Sequence, residues 1–521
     1  MNMAQPAGYD CIVVGGGHNG LVCAAYLARA GRAVLVLEAA ERLGGAAATR
    51  EFAPGFKVSA CAHLLHLMPP ALMRDLDLPA HGLKLAAEHL SSVALDAQGE
   101  HLSYSAAGVS GAVSAADQSA FAAWRELMQR FAKTLHPLLG APPPRLGGDA
   151  WRDRAALLQL GWRLRRLGRH NMRELLRIGG MCVHDLLEEH FESPLLKGAL
   201  AMDAVLGTNL GPRSPGTVLS LLYRLAAPGA PEQLAQPQGG LGALSEALAQ
   251  VAQRAGAQLR TRAPVARILV REDRVCGVAL SSGEQIAAPV VISSADPKTT
   301  FLELLGSEHL DAGFVRRVAQ LRTRGLAAKV HLALERLPDF RGLNAQGLRG
   351  RLLVAPSLAY VENAFNYSKY EEYSAAPVLE ISIPTLADPT LAPPDKHVMS
   401  IIAQYVPYKL AQGWPEQRQQ FKDLVIHTLA NYAPDLPGCV RGSELLTPRD
   451  IEREFRISGG NWHHAELAFD QFFMVRPVPG AAQYQGPVSG LFLCGAGCHP
   501  GGGVMGLAGR NAAHHVMREA A

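Results

Sequence analysis

Several features are scarce in this 521-residue chain. There is no Cys-x-x-Cys pair: eight cysteines are scattered over positions 11, 23, 61, 182, 276, 439, 494 and 498. That excludes a redox-disulfide motif, and Cys494 and Cys498 lack the two further clustered ligands of a zinc site, so no metal is expected. Net charge is only +4 and aromatic residues make up 6%, which leaves neither the basic surface nor the stacking platform of a nucleic-acid partner. No run of about eighteen uncharged apolar residues occurs, and the first apolar run starts near Tyr9, with no room before it for a secretory leader. A cytoplasmic protein is expected. What is present is 48% hydrophobic content with 18% charge, enough to bury one large or two medium cores.

The chain is organised around residues 9–45. Tyr9–Val14 is apolar and β-branched, Gly15-Gly16-Gly17-His18-Asn19-Gly20 follows directly, and Leu21–Ala30 has the composition of an Ala/Leu helix closed by Gly31. The pattern predicts strand, glycine turn and helix. A second apolar run, Ala33–Leu37, ends on Glu38, eighteen positions past Gly20, where a ribose-binding carboxylate belongs. The geometry explains the residue types: Gly15 permits the tight turn, Gly17 admits a pyrophosphate beside the backbone, and Gly20 lets helix and strand pack closely. A second Gly-x-Gly-x-x-Gly, at Gly501, Gly503 and Gly506, lacks this context.

Arg42 and the pair Gly44-Gly45 lie four to seven residues past Glu38, so a returning segment can lie over the pyrophosphate. Gly15, Gly17, Gly20, Leu21, Ala24, Leu27, Glu38, Gly44 and Gly45 together resemble the extended dinucleotide signature of the glutathione-reductase-type FAD superfamily, in its amine-oxidase and phytoene-desaturase branch. The resemblance implies FAD as cofactor. It also implies an α/β fold (α+β overall): a Rossmann-like FAD-binding domain with an inserted substrate domain of mixed sheet and helical cap.

Composition divides the rest. Residues 1–80, 236–300 and 483–521 are expected to build the FAD-binding domain, 81–235 a helical cap, and 301–482 a substrate sheet. His63, His66, His81 and His89 share no ligand spacing, and His63 is expected in a substrate-pocket wall. Residues 91–150 are polar and Ala/Ser-rich and end in Pro142-Pro143-Pro144. From Trp151 a helical pattern carries Leu157, Leu160, Leu164 and Leu167 with eight arginines between positions 152 and 177. Two readings stay open for 151–178: a helix resting on an anionic membrane surface, or a lid that buries its leucines. Strands are expected at Leu259–Thr261, Val265–Val270, Val275–Leu280 and Val290–Ser293, and in the insertion at Ala327–Leu334, Val378–Pro384 and His397–Tyr405. In the resembling family the strand at Val265 contributes backbone contacts at the adenine end.

Leu491–Cys494 then runs into a stretch with six glycines in the twelve residues 495–506, which demands close backbone approach. Gly495, Gly497, Gly503, Val504 and Met505 are therefore candidate cofactor contacts, with the following helix start aimed at a flavin's pyrimidine edge. The segments GGLGAL at 239, ISSADP at 292, GGNWHHAEL at 459 and GLFLCGAGCHPGGGVMGLAGRNAA at 490 resemble the carotenoid phytoene-desaturase and isomerase family. They are most similar to its branch named pyridine nucleotide-disulfide oxidoreductase domain-containing protein 2, although the disulfide of that name has no counterpart here. The resemblance implies non-covalently held FAD and a long apolar substrate tunnel.

With a cofactor carrying the chemistry, the protein need only position a C–H bond and exclude water. His464 and Glu466 are the candidate acid–base residues, and Asn461, Gln471 and Arg476, with His63, the candidate substrate contacts. The expected activity is dehydrogenation or desaturation of a lipophilic, isoprenoid-like substrate by hydride transfer to flavin N5, with O2 or a quinone as electron acceptor. The alternatives are an FAD-dependent amine or alcohol oxidase, and a flavin-bound regulatory or membrane-docking protein with little turnover. Nothing in the sequence sets the oligomeric state.

Overall fold

The apolar runs of the first and last segments pair side by side. In the computed structural model, which describes residues 8–145, 151–226 and 234–519, they form a five-stranded parallel sheet. Its order is Gln258–Arg260, Val34–Leu37, Cys11–Val14, Val290–Ser293, Leu491–Leu493. Cys11–Val14 sits at the centre, and helices on the sheet's faces account for its continuous apolar run rather than an alternating one. Helix His18–Arg29 packs between helices Gly242–Arg254 and Leu507–Glu519. The approach to the last helix is close: a Cβ on Gly509 would lie 2.1 Å from the Asn19 carbonyl oxygen.

Pairing of these strands brings both glycine turns to one edge of the sheet. Gly15 donates to the Leu37 carbonyl at 2.8 Å, Ser294 to that of Val14 at 2.8 Å, and Cys494 to that of Ser293 at 2.8 Å. Three chain segments therefore leave the sheet together at its carboxyl edge, where open α/β sheets bind their ligands.

The second sheet has eight strands in the order Val440–Leu446, Ala327–Leu334, His397–Gln404, Val378–Ser382, Arg351–Val354, Ser92–Ala94, Leu102–Ser105, Gly108–Gly111. It is mixed, because Arg351–Val354 runs parallel to Ser92–Ala94 while its other pairs are antiparallel. The polar stretch after residue 91 thus holds three strands. In Leu102–Ser105 only Leu102 and Tyr104 are buried, and none of Gly108–Gly111 is, which accounts for the polar composition there. Helix Ala115–Leu139 follows, capped by Ser114, which accepts from Asp117 N. It joins Val183–His190, Pro194–Val205 and Thr217–Ala226 over a core that includes Phe121, Trp124, Phe131 and Leu200.

The arginine-rich pattern becomes two helices, Trp151–Arg166 and Gly168–Ile178. Gly168, at φ +78°, separates them, while Gly161 stays within the first. Leu164 and Leu167 pack against the helical core, but no residue of Trp151–Arg166 is buried. Trp151 is 73% exposed, Leu158 75%, Trp162 59% and Leu176 67%. Among the described residues no helix is long and apolar enough to cross a membrane, and all eight cysteines are free.

Candidate functional site

The carboxyl edge of the parallel sheet opens into one cavity of about 660 Å3, inside the ~300–1,000 Å3 range of small-molecule sites. Gly15, Gly17, Glu38, Arg42, Gly44, Gly45 and Val265 line it, and so do Ala496, Gly503 and Val504 from the other end of the chain. Gly15 adopts φ +96°, a conformation that a side chain would strain. Gly17 and Gly45 leave bare backbone on the cavity. A Cβ on Gly17 would find nothing nearer than Ser294 Oγ at 4.0 Å, and one on Gly45 nothing nearer than Gly17 Cα at 3.7 Å. Gly44 donates to the Gly16 carbonyl at 2.9 Å, so the returning segment lies against the first turn. Glu38 is fixed at the wall, its Oε2 accepting from Gly16 N at 2.7 Å and its Oε1 from Ala40 N at 2.8 Å.

Gly20, Gly495, Gly497 and Met505 do not line the cavity. A Cβ on Gly20 would sit 2.1 Å from the Gly15 carbonyl oxygen, one on Gly495 2.5 Å from that of Ser294, and one on Gly497 2.6 Å from Pro297 Cδ. These three permit the close packing that shapes the turns. Met505 is buried with Leu67 and Leu507.

The far wall carries histidines. His464 lines it with Nδ1 unpartnered. Burial, opposed by Asp296 and aided by Arg476, lowers its pKa to about 4, so the imidazole is neutral at pH 7. His63 also lines the wall. Its Nε2 donates to Glu380 Oε1 at 2.8 Å and its Nδ1 accepts from Lys329 Nζ at 3.0 Å, partners that assign the tautomer. Glu466, Asn461, Gln471 and Arg476 lie behind the wall. Glu466 accepts from Asn209 N at 3.0 Å, and burial pushes its carboxyl up to about 7. Asn461 Oδ1 accepts from His463 N at 2.9 Å, and Gln471 Oε1 from Arg322 N at 2.8 Å. Arg476 donates to the carbonyls of Glu466, Gln471, His463 and Ala496, tying the histidine segment to the closing turn. These side chains hold the wall in place without reaching the cavity.

Sequence reasoning missed a buried ladder of charge behind His63. Arg351 lies 2.6 Å from Glu380 Oε2 and 2.7 Å from Asp203 Oδ1, and Asp203 in turn lies 3.3 Å from Arg224 Nε. Burial pushes the Glu380 carboxyl up, but Arg351 and His63 prevail and hold it well below the usual range. Burial brings Lys329 down to about 7 and His63 to about 4. A signal existed: Lys329 and Glu380 are lone charges inside the apolar strands Ala327–Leu334 and Val378–Ser382. Among the described residues no group of three His, Cys, Asp or Glu side chains could hold a metal ion.

The site fits a dinucleotide cofactor. His18 Nε2 and Asn19 Oδ1, at the start of helix His18–Arg29, line the cavity as buried polar atoms without partners, beside the bare backbone of Gly17 and Gly45. The backbone N–H groups at this helix start and the His18 ring would hold the pyrophosphate against the bare backbone of Gly17 and Gly45, with Glu38 at the ribose.

The model of the flavin containing amine oxidoreductase family matches residues 20–517. Pyridine nucleotide-disulfide oxidoreductase domain-containing protein 2 of Rattus norvegicus is 39% identical over 98% of this chain and 94% of that protein. A limonene dehydrogenase subunit from Castellaniella defragrans is 26% identical over 99% of this chain and 96% of its own length. The neurosporene-forming phytoene desaturase of Cereibacter sphaeroides is 27% identical over 52% of this chain and 51% of its own. Among solved structures, an oxidoreductase from Methanosarcina mazei superposes with a TM-score of 0.60 at 19% identity, covering 98% of this chain and 99% of that one. Putrescine oxidase bound to putrescine gives 0.59 at 16%, covering 99% of each, a likeness of fold. The chain belongs to the flavin containing amine oxidoreductase family, and its cofactor is FAD.

Proposed function

We propose that the protein is an FAD-dependent dehydrogenase that removes hydrogen from a lipophilic, isoprenoid-like substrate and passes the electrons to O2 or a quinone. The supporting observation is continuity: the cavity that begins at Glu38, Gly17 and Gly45 extends past Ala496 and Val504 to a wall containing Leu64, Leu67, Leu206, Ile402 and Trp462. Bound FAD supplies the hydride acceptor at N5. The apolar wall orients the substrate's C–H bond and excludes water. His464 Nδ1, unpartnered in the wall, is an open acceptor for the second hydrogen, leaving as a proton. With a pKa of about 4 it does not keep that proton, which is released to solvent. Two relatives carry names for hydrogen removal, the limonene dehydrogenase subunit and the phytoene desaturase. Glu380, the buried carboxylate of this wall, is already engaged by Arg351 at 2.6 Å and His63 at 2.8 Å, so it is not free to hold an ammonium group. The exposed tryptophans and arginines of 151–178 are read as a contact with the membrane surface from which a lipophilic substrate would come.

Anaerobic mixing of the flavin-loaded protein with isoprenoids in hydrocarbon, alcohol and acid form is the test. Bleaching of the flavin absorbance is the expected result. No bleaching with any isoprenoid, together with peroxide release on amines in air, would overturn the reading.

A further inference from the structure

Arg224 stands in the cavity wall with its donors unfilled. It lies on helix Thr217–Ala226, its side chain is 16% exposed, and its charge partner is Asp203 at 3.3 Å. The same Asp203 oxygen is 2.7 Å from Arg351, and neither contact is aligned as a hydrogen bond. Among the described residues none of the five N–H donors of Arg224 meets an acceptor in hydrogen-bond geometry. A guanidinium this buried is costly without acceptors, and the cavity is where an acceptor can stand.

Two neighbours repeat the pattern. His66 lines the same wall with both ring nitrogens unpartnered, and His463 with Nδ1 unpartnered. Burial lowers both imidazoles, aided at His66 by the Arg224 charge and at His463 by Arg476, His464 and then Arg224, so both are neutral hydrogen-bonding groups within reach of the Arg224 field. Charge balance limits the ligand. Arg224 and Arg351 are offset by Asp203 and Glu380. Every added negative charge there is unoffset, so a monoanion that fills the free donors of Arg224 is favoured over a dianion.

We propose that Arg224, His66 and His463 form a carboxylate receptor, so that the substrate is an amphipathic monocarboxylic acid whose apolar body lies against Leu67, Leu206 and Ile402. This rests on reading the cavity as a site for FAD and an organic substrate together. A planar guanidinium matches a carboxylate with two parallel N–H donors, which a lysine could not do.

Calorimetric titration of the flavin-loaded full chain with octanoate, 1-octanol and octylamine tests the receptor. Octanoate should bind at least tenfold more tightly than octanol. Arg224→Gln should abolish that preference while octanol affinity, flavin content and melting temperature stay unchanged, and Arg224→Lys should restore only part of it. A preference that survives Arg224→Gln, or octylamine binding more tightly than octanoate, overturns the proposal. Should Arg224→Gln fail to fold, His66→Phe carries the test: octanoate affinity must fall several-fold with octanol unaffected, and an unchanged octanoate affinity overturns it. Octanoate selectivity with no flavin bleaching by any isoprenoid would count against the dehydrogenase reading alone. Bleaching without octanoate selectivity would count against the receptor alone.

Discussion

Gly17 and Gly20 are three residues apart, and their surroundings predict opposite phenotypes. Gly17 has φ −70° and ψ 167°, which any residue tolerates, and its added Cβ would meet only Ser294 Oγ at 4.0 Å. Gly17→Ala should therefore keep its melting temperature and lose bound FAD, read from flavin absorbance after gel filtration. Gly20→Ala would put a carbon 2.1 Å from a backbone oxygen and should cost ~1–3 kcal/mol or more in folding, whatever the flavin content. Two buried titrating residues make a second prediction at this scale. Burial raises Glu466 from 4.5 to about 7 and lowers Lys329 from 10.5 to about 7. Between pH 4.5 and 7 the folded chain holds a Glu466 proton that the unfolded chain has lost, so stability falls as pH rises. Between pH 7 and 10.5 the unfolded chain holds a Lys329 proton that the folded chain has lost, so stability rises again. Urea unfolding across this range should show Glu466→Gln flattening the falling limb and Lys329→Met the rising one, each by on the order of a few kcal/mol.

At the scale of elements, the helices Trp151–Arg166 and Gly168–Ile178 carry the next prediction. Trp151, Leu158 and Trp162 are exposed among arginines, and the Arg166 guanidinium lies 4.6 Å from the Trp162 ring centroid. The protein should co-sediment with phosphatidylserine-containing vesicles and less with neutral ones, the difference shrinking in high salt. Trp151→Ser with Trp162→Ser should reduce binding at least tenfold while leaving flavin content intact. Legibility in the sequence follows the range of each interaction. The strand, glycine turn and helix of residues 9–38 were readable because their determinants are contiguous. The strand Ser92–Ala94 was not, because its parallel partner Arg351–Val354 lies more than 250 residues away and its own stretch is half polar. Lys329 and Glu380 stand out as lone charges in apolar strands, but their pairing with His63 and Arg351 was hidden, since hydrophobic periodicity is blind to charges that meet across separate strands. Gly161 and Gly168 look alike in sequence, yet only Gly168 breaks the helix, because only it takes a positive φ.

For the whole molecule, the cofactor slot is assembled from segments distant in sequence: turns near residues 15–20, 44–45 and 495–504 meet at the carboxyl edge of the parallel sheet. The two glycine motifs announced its ends, while the part of the wall between them that Arg224 and His66 supply depends on tertiary packing with no local signature. Removing FAD should therefore act regionally. The eight-stranded sheet keeps its own core, in which Val330, Leu332, Ile381, Met399 and Ile401 are 0% exposed, and these residues do not line the slot. Ligand at a thousandfold over its Kd contributes about 4.1 kcal/mol, so stripping the flavin should lower the melting temperature by several degrees without abolishing the fold. Hydrogen exchange locates the change: amides of residues 15–20 and 495–504 should exchange faster in the apoprotein, while those of Ala327–Leu334 keep their protection. Equal acceleration in both regions would mean that the two sheets unfold as one unit and that the cofactor stabilises the whole chain rather than the slot it occupies.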